Sequence, residues 1–141
     1  MFTTKGIKKI ASSYGSTFVL KENGDLFVSG NNDYGMLGLG INARSYYSAT
    51  RFNRLADINE LDNIKDIGYT SDNDICVYVL KNDGTVLIRG ENRNSRFGIE
   101  NGLSFYDDFV QLPITDVKSI HVNYDSIHVL KNDGTVWVSG S

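Results

Sequence analysis

Ser16–Gly30 reads STFVLKENGDLFVSG, and the pattern returns as CVYVLKNDGTVLIRG at Cys76–Gly90 and as SIHVLKNDGTVWVSG at Ser126–Gly140. The three stretches align without a gap, at offsets of 60 and 50 residues. Leu20, Leu80 and Leu130 coincide, as do Lys21, Lys81 and Lys131, the turn glycines Gly24, Gly84 and Gly134, and the closing glycines Gly30, Gly90 and Gly140. Each copy sets two β-favouring runs around a polar turn that ends in glycine, the signature of a hairpin. Upstream, IKKIASSYGS at Ile7–Ser16 matches VKSIHVNYDS at Val117–Ser126, with Tyr14 on Tyr124. The middle copy opens with IKDIGYT at Ile64 and carries three extra residues before Cys76. Self-similarity of this kind identifies a repeat architecture before any single element is assigned.

Ile7 to Ser12, Ile64 to Tyr69 and Val117 to Val122 supply a strand before each hairpin. A further short strand is expected ahead of the second and third copies, at Thr50 to Leu55 and Asp108 to Ile114, with Phe2 to Lys5 as its stub ahead of the first. Four strands in roughly 47 residues per copy match the blade of a β-propeller. The fold class expected is therefore all-β: three four-stranded antiparallel blades in one repeat domain, 1–141, completed by oligomerisation or by a partner. Blade 1 is expected at about 1–40, blade 2 at about 41–98 and blade 3 at about 99–141. Both alternating sets of each hairpin are apolar: Phe18 and Leu20 against Val19, Val136 and Val138 against Trp137. A sheet wetted on one face would be polar in one of these sets, so both faces need cover.

With 40% hydrophobic and 22% charged residues, the 141-residue chain is long enough for one ordinary core. One proline against fourteen glycines fits a chain that turns often through positive backbone angles. A formal charge of −3 excludes the diffuse basic field of a non-specific nucleic-acid binder, so no nucleic-acid partner is expected. Cys76 is the single cysteine and sits in an apolar run, as a small buried thiol does. No apolar run resembles a Sec signal or a membrane span, so no membrane insertion is expected. The location expected is the cytoplasm, or the virion if the chain is phage-encoded.

Between the first two hairpins, Gly30 to Gly40 reads GNNDYGMLGLG. With the preceding IASSYGSTFVLKENGDLFVSG, it resembles the repeat of the regulator of chromosome condensation family, whose loop has the form G-N-x-x-G-Q-L-G-x-G. The second copy, GENRNSRFG at Gly90–Gly98, keeps Asn92 and both end glycines but places Ser95 where Gly35 stands. The resemblance implies propellers of about seven repeats that act mainly as binding platforms. Members include an exchange factor for a nuclear small GTPase, a bacterial β-lactamase inhibitor, and bacterial and phage-encoded surface or structural proteins. The exchange factor's loop insertion and basic surface have no match here, so exchange activity is not carried over.

No catalytic, metal or cofactor site is expected. His121 and His128 are the only histidines and lack further zinc ligands at recognisable spacing. His128 aligns with Phe18 and Tyr78, which makes it a packing residue. Asp83 and Asp133 recur at the same turn in successive copies, and recurrence favours service to the turn. A recognition surface is read at the recurring aromatic pairs Tyr46, Tyr47, Phe105 and Tyr106 together with Arg93 and Arg96. Blade-end association faces are read at Phe18, Phe27, Ile127 and Trp137. The function expected is a non-enzymatic interaction or structural assembly module, possible settings being a viral particle or larger complex, whose partner is a protein or another copy. The alternatives are a small-GTPase regulator or inhibitor-type binding propeller, and an enzyme using the propeller's top face.

Overall fold

The computed structural model of the chain describes residues 5–13, 15–32, 37, 49–54, 61–70 and 76–141. The first sheet holds β1 (Ile7–Ser13), β2 (Ser16–Lys21), β3 (Leu26–Gly30) and β4 (Ala49–Arg54), hydrogen-bonded in that order. The second repeats the arrangement with β5 (Ile64–Tyr69), β6 (Cys76–Lys81), β7 (Val86–Glu91) and β8 (Phe105–Gln111). The third has β9 (Val117–Val122), β10 (Ser126–Lys131) and β11 (Val136–Gly140). Every pairing is antiparallel. The only helical element among the described residues is the single 3-10 turn Arg93–Ser95.

The allotment of strands to blades differs from the expectation. The strand expected to open the second copy is β4, which pairs with β3 through Phe27 with Arg54 and Val28 with Asn53. It closes the first sheet instead. β8 likewise closes the second, pairing Ile88 with Val110 and Leu87 with Gln111. Blade 1 therefore runs past residue 40 to Arg54, and blade 2 from Ile64 past residue 98 to Gln111. An antiparallel neighbour is reached by a returning loop without a crossover, and between β7 and β8 that loop is residues 92–104. The third sheet has three strands, and the stub expected at Phe2 to Lys5 lies outside the described residues except for Lys5.

Successive sheets stack through their apolar faces. Phe18, Leu20, Leu26 and Val28 of the first sheet pack with Ile67, Val77 and Val79 of the second. The other face of the second sheet, with Cys76, Tyr78, Leu80, Val86 and Ile88, packs on Val117, Ile120, Val122, Ile127 and Val129 of the third. Cross-strand partners share a face. The chain alternation read in the sequence therefore becomes one face for the blade before and one for the blade after.

Two polar contacts recur at both interfaces. The N–H that opens each inner strand donates to the turn glycine of the preceding blade: Ile64 to the Gly24 carbonyl at 3.1 Å, and Val117 to the Gly84 carbonyl at 3.0 Å. Gly24 and Gly84 hold φ of +89° and +84°, and a Cβ on either would come within 3.1 Å of the following blade's Asn63 or Asp116. Only glycine meets both demands at the turn. Second, Lys8 Nζ donates to the Lys65 carbonyl at 2.8 Å, and Lys65 Nζ donates to the Lys118 carbonyl at 3.3 Å. These lysines occupy one repeat position, so each blade hands a cation to the backbone of the next.

Two further groups tie blade 2 to blade 3. Tyr78 donates its hydroxyl to the Ile120 carbonyl at 3.2 Å. Arg96, fully buried, donates to the carbonyls of Asn123 at 2.7 Å, Tyr124 at 2.8 Å and Glu91 at 2.6 Å. It pins the β9–β10 turn to the loop after β7.

Burial, followed by the charges of Asp66 and Cys76, pushes the Tyr78 phenol from 10.0 up to about 12. The native state then keeps a proton that the unfolded chain releases near pH 10, so stability should fall as pH rises from 10 towards 12. Urea midpoints measured across this range should lose that component of the alkaline slope in Tyr78→Phe. The same variant at neutral pH should be less stable by about 1 kcal/mol, one hydrogen bond's worth. Arg96→Ala leaves buried carbonyls without donors and should cost at least about 1–3 kcal/mol in denaturant melts. Arg96→Lys should recover only part of this, because the three carbonyls are met from two separate guanidinium nitrogens and a single ammonium nitrogen cannot stand at both places.

Candidate functional site

The third sheet leaves two surfaces open that the first two sheets close. One is its free face. Leu130 pairs with Val136 and His128 with Val138, all turned away from the face carrying Ile127 and Val129. Val136 and Val138 are 65% and 61% exposed, whereas their repeat equivalents Leu26, Val28, Val86 and Ile88 are 0% exposed. Gly134 would meet nothing with an added Cβ, unlike Gly24 and Gly84. At the far side of the array, Ile10 is 61% exposed and pairs with Val19, on the face of the first sheet turned from the second.

The other open surface is the outer edge of β11 and a cleft of about 230 Å³ beside it. Its walls include Phe97, Leu112, Ile127, Val129, Trp137 and Ser139. Phe97 is set there by an asparagine turn. Asn92 Oδ1 accepts the Phe97 N–H at 2.8 Å, just as Asn32 Oδ1 accepts the Leu37 N–H at 2.9 Å one repeat earlier. Asn92 also donates through Nδ2 to the Leu103 carbonyl at 2.8 Å, so one side chain holds both sides of the loop. The Tyr106 ring lies 5.6 Å from Phe97 and backs it. Trp137, 57% exposed, donates Nε1 to Thr135 Oγ1 at 3.3 Å and has the Lys131 ammonium 5.9 Å from its ring.

Several expected site residues sit elsewhere than their assigned surface. Arg96 is inside, holding backbone, because a buried planar guanidinium satisfies several carbonyls at once. Phe18 and Ile127 are buried between blades rather than at the ends of the array. Trp137 pairs with Val129, which turns it towards blade 2 and into the cleft, not onto the end face. Phe27, half-buried, pairs with Val19, which is 3% exposed, on the face of the first sheet turned from the second. Arg93 is at the surface with its guanidinium 4.8 Å from the Tyr124 ring and a 2.7 Å bond to that phenol, and its Nε stands 3.2 Å from Glu91. Phe105 is half-buried opposite Glu91. Tyr46 and Tyr47 lie outside the described residues.

The side chains that resemble catalytic groups are committed to local structure. Asp83 Oδ1 accepts the Thr85 N–H at 2.9 Å and its hydroxyl at 2.6 Å, and Asp133 repeats both bonds with Thr135. The threonine hydroxyls are the main cause holding both carboxyls below their ordinary 3.8. His121 and His128 face each other across β9 and β10 with ring centroids 6.5 Å apart, and Ser126 Oγ lies 3.0 Å from His128 Nε2. Sequence reading sets Val136 and Val138 on one apolar face that needs cover; the residue it misses is Lys118, together with the cleft that Phe97, Leu112 and Trp137 line jointly.

A profile of the regulator of chromosome condensation (RCC1) repeat matches residues 7–35. Comparison with curated protein sequences finds no match. Among solved structures, human WBSCR16 superposes with a TM-score of 0.67 at 18% identity, over 99% of this chain and 34% of that one. Yeast RCC1 (Prp20), in its structure bound to Kap60, gives 0.68 at 20% identity over 99% and 31%. Prp20p from Saccharomyces cerevisiae, in a study of its binding to Gsp1p and histones, gives 0.68 at 18% identity over 99% and 32%. The chain thus spans about a third of the length of these structures. Residues 7–35 match the regulator of chromosome condensation repeat, and the sheets of the chain have the fold of the β-propeller blades in these structures.

Proposed function

We propose that this chain is a non-enzymatic assembly module whose blades extend an array by stacking on the blades of another copy. The observation that carries this is the exposure of Val136 and Val138 at a repeat position that is wholly buried in both other blades. Polar groups on the two end faces also complement each other. One offers the Gly134 carbonyl and the Lys118 ammonium. The opposite one offers the Ile7 N–H and the Lys8 carbonyl. These are the equivalents of the groups that meet at both internal interfaces. Gly6, with φ +70° and open space around it, stands where Asn63 and Asp116 approach the preceding turn. The contact would be head-to-tail, which forms a ring if the rotation closes.

Protein as the class of partner agrees with the fold's use in the yeast relative, whose structures concern Kap60, Gsp1p and histones. A different protein carrying such a blade would be bound by the same faces.

Sedimentation of the purified chain at micromolar concentration should give a dimer or larger species. Ile10→Asp and Val136→Asp each place a charge in one free face, which at about 3 kcal/mol weakens association roughly a hundredfold. Each variant alone should sediment as a monomer with an unchanged far-UV spectrum. Their equimolar mixture should recover a dimer, because it retains one intact interface. A folded wild-type monomer at this concentration would overturn the proposal.

A further inference from the structure

The strands that open the three sheets, β1, β5 and β9, each lie at a sheet edge, and each carries a lysine at the same repeat position: Lys8, Lys65 and Lys118. In every pairing the register skips that residue. Ile7 and Lys9 pair with β2, Ile64 and Asp66 with β6, and Val117 and Ser119 with β10, so the lysine between them is the extra residue of a bulge. A bulge takes a side chain out of the alternation and re-aims it. Here it sends the ammonium along the surface to the neighbouring inner edge, Lys8 Nζ to the Lys65 carbonyl and Lys65 Nζ to the Lys118 carbonyl. The three cations stand in one row across the array, at a blade spacing of about 10 Å.

The contact with the next blade needs a donor and not a charge. A neutral amide would serve the carbonyl as well, and it uses one of the three donors that an ammonium carries. Among the described residues none of the three lysines forms an ion pair. The carboxylates closest to them in sequence are engaged elsewhere: Asp66 with Lys9 at 2.7 Å, Asp62 with Lys81 at 3.8 Å, and Asp116 with the Asn132 amide at 2.8 Å. In a chain of net charge −3, a row of like charges left without counter-charges concentrates anions along itself.

The row also restricts which anion it takes. At about 10 Å one phosphate cannot touch two of the ammonium groups, so the ligand must extend from blade to blade. The position is lysine in all three copies, a point charge suited to phosphate, and never arginine, whose fork matches a planar carboxylate. Single-stranded nucleic acid would need aromatic rings on which its bases stack. The rings on the inner strands are Tyr69, packed in the core between the first two blades, and His121, which faces His128. We propose that the row formed by Lys8, Lys65 and Lys118 binds a linear polyphosphate that crosses the three inner edges. The row is made by contacts within one chain, so it goes beyond the stacking proposed above and does not rest on it.

The probe is linear polyphosphate long enough to reach all three cations, about 20 Å, titrated by calorimetry into the full chain and into its Val136→Asp variant. Both should bind it saturably, with log affinity falling linearly against log salt. Lys65→Gln keeps a donor for the Lys118 carbonyl and loses only the charge. It should weaken binding about threefold or more, the worth of one exposed charge contact, and lower the salt slope by about one, with an unchanged melting curve. Lys8→Gln should do the same, and Lys65→Arg should restore the slope. Lys131→Gln removes an equal charge at the far end of β10, beside Trp137, and should leave affinity and slope as they were. Absence of saturation up to about 1 mM, the weak end of specific binding, would overturn the proposal. So would an equal loss in Lys131→Gln, an unchanged affinity in both Lys65→Gln and Lys8→Gln, or loss of binding in Val136→Asp. Orthophosphate, oligothymidylate or a polyglutamate peptide binding as tightly as polyphosphate would overturn it too. Failure of the sedimentation experiment with success here would remove the stacking proposal and leave this one standing.

Discussion

Each sheet of this chain is apolar on both faces, and face-to-face stacking of one sheet on the next is the contact on which everything else depends. A hairpin alone would leave Phe18, Leu20, Leu26 and Val28 in water. Against the second sheet each of the four is at most 2% exposed. At roughly 1.5–3 kcal/mol for each large apolar side chain buried, such a face outweighs any single polar contact in the molecule. The polar contacts add direction. An apolar face slides and rotates at little cost, whereas the bond from Ile64 to Gly24, or from Val117 to Gly84, exists at only one offset between neighbouring blades. Hydrophobic burial thus provides the attraction, and a glycine carbonyl at the tip of each hairpin fixes where the next blade begins.

The two edges of a blade are treated oppositely. At the inner edge, lysines sit on bulged strands and reach forward to the next blade's backbone, so charge both deters pairing and links neighbours. At the outer edge, the chain returns after an asparagine-braced loop to add a fourth strand that plugs the space between blades, as β8 does with Phe109. Arg96 shows how this loop also serves the following blade. It stands where the family pattern has glutamine, and its guanidinium reaches the backbone of the next blade's β9–β10 turn. The loop after a hairpin is therefore part of an interface and not merely a connector.

The blade architecture was legible in sequence because repetition and alternation are properties of single strands and tight turns. Leu20, Leu80 and Leu130 announce the hairpin wherever they occur. Which sheet receives the fourth strand was not legible, since Thr50 to Leu55 is equally adjacent in sequence to the hairpin before it and the one after. Only pairing decides, and pairing is a long-range fact. The placement of Arg96 failed for a related reason: an arginine between loop residues reads as solvated charge, and its three carbonyl partners come from a turn some thirty residues away and from its own loop. Trp137 was assigned to the wrong side because both of its faces looked available. Its register with Val129, together with the burial of Val129 against blade 2, settles the side. The groups at the free faces were visible as residues but not as complements, because Gly134 and Lys118 acquire meaning only once their equivalents are seen touching the next blade.

The open face of the third blade sets its own demand on what it meets. The face is built from repeat positions that hold Leu, Val or Ile at most places and Phe18, Tyr78 or His128 at one, so a blade with the same turn and inner strand fits it. Such a surface selects for kinship with the chain and is suited to joining like units.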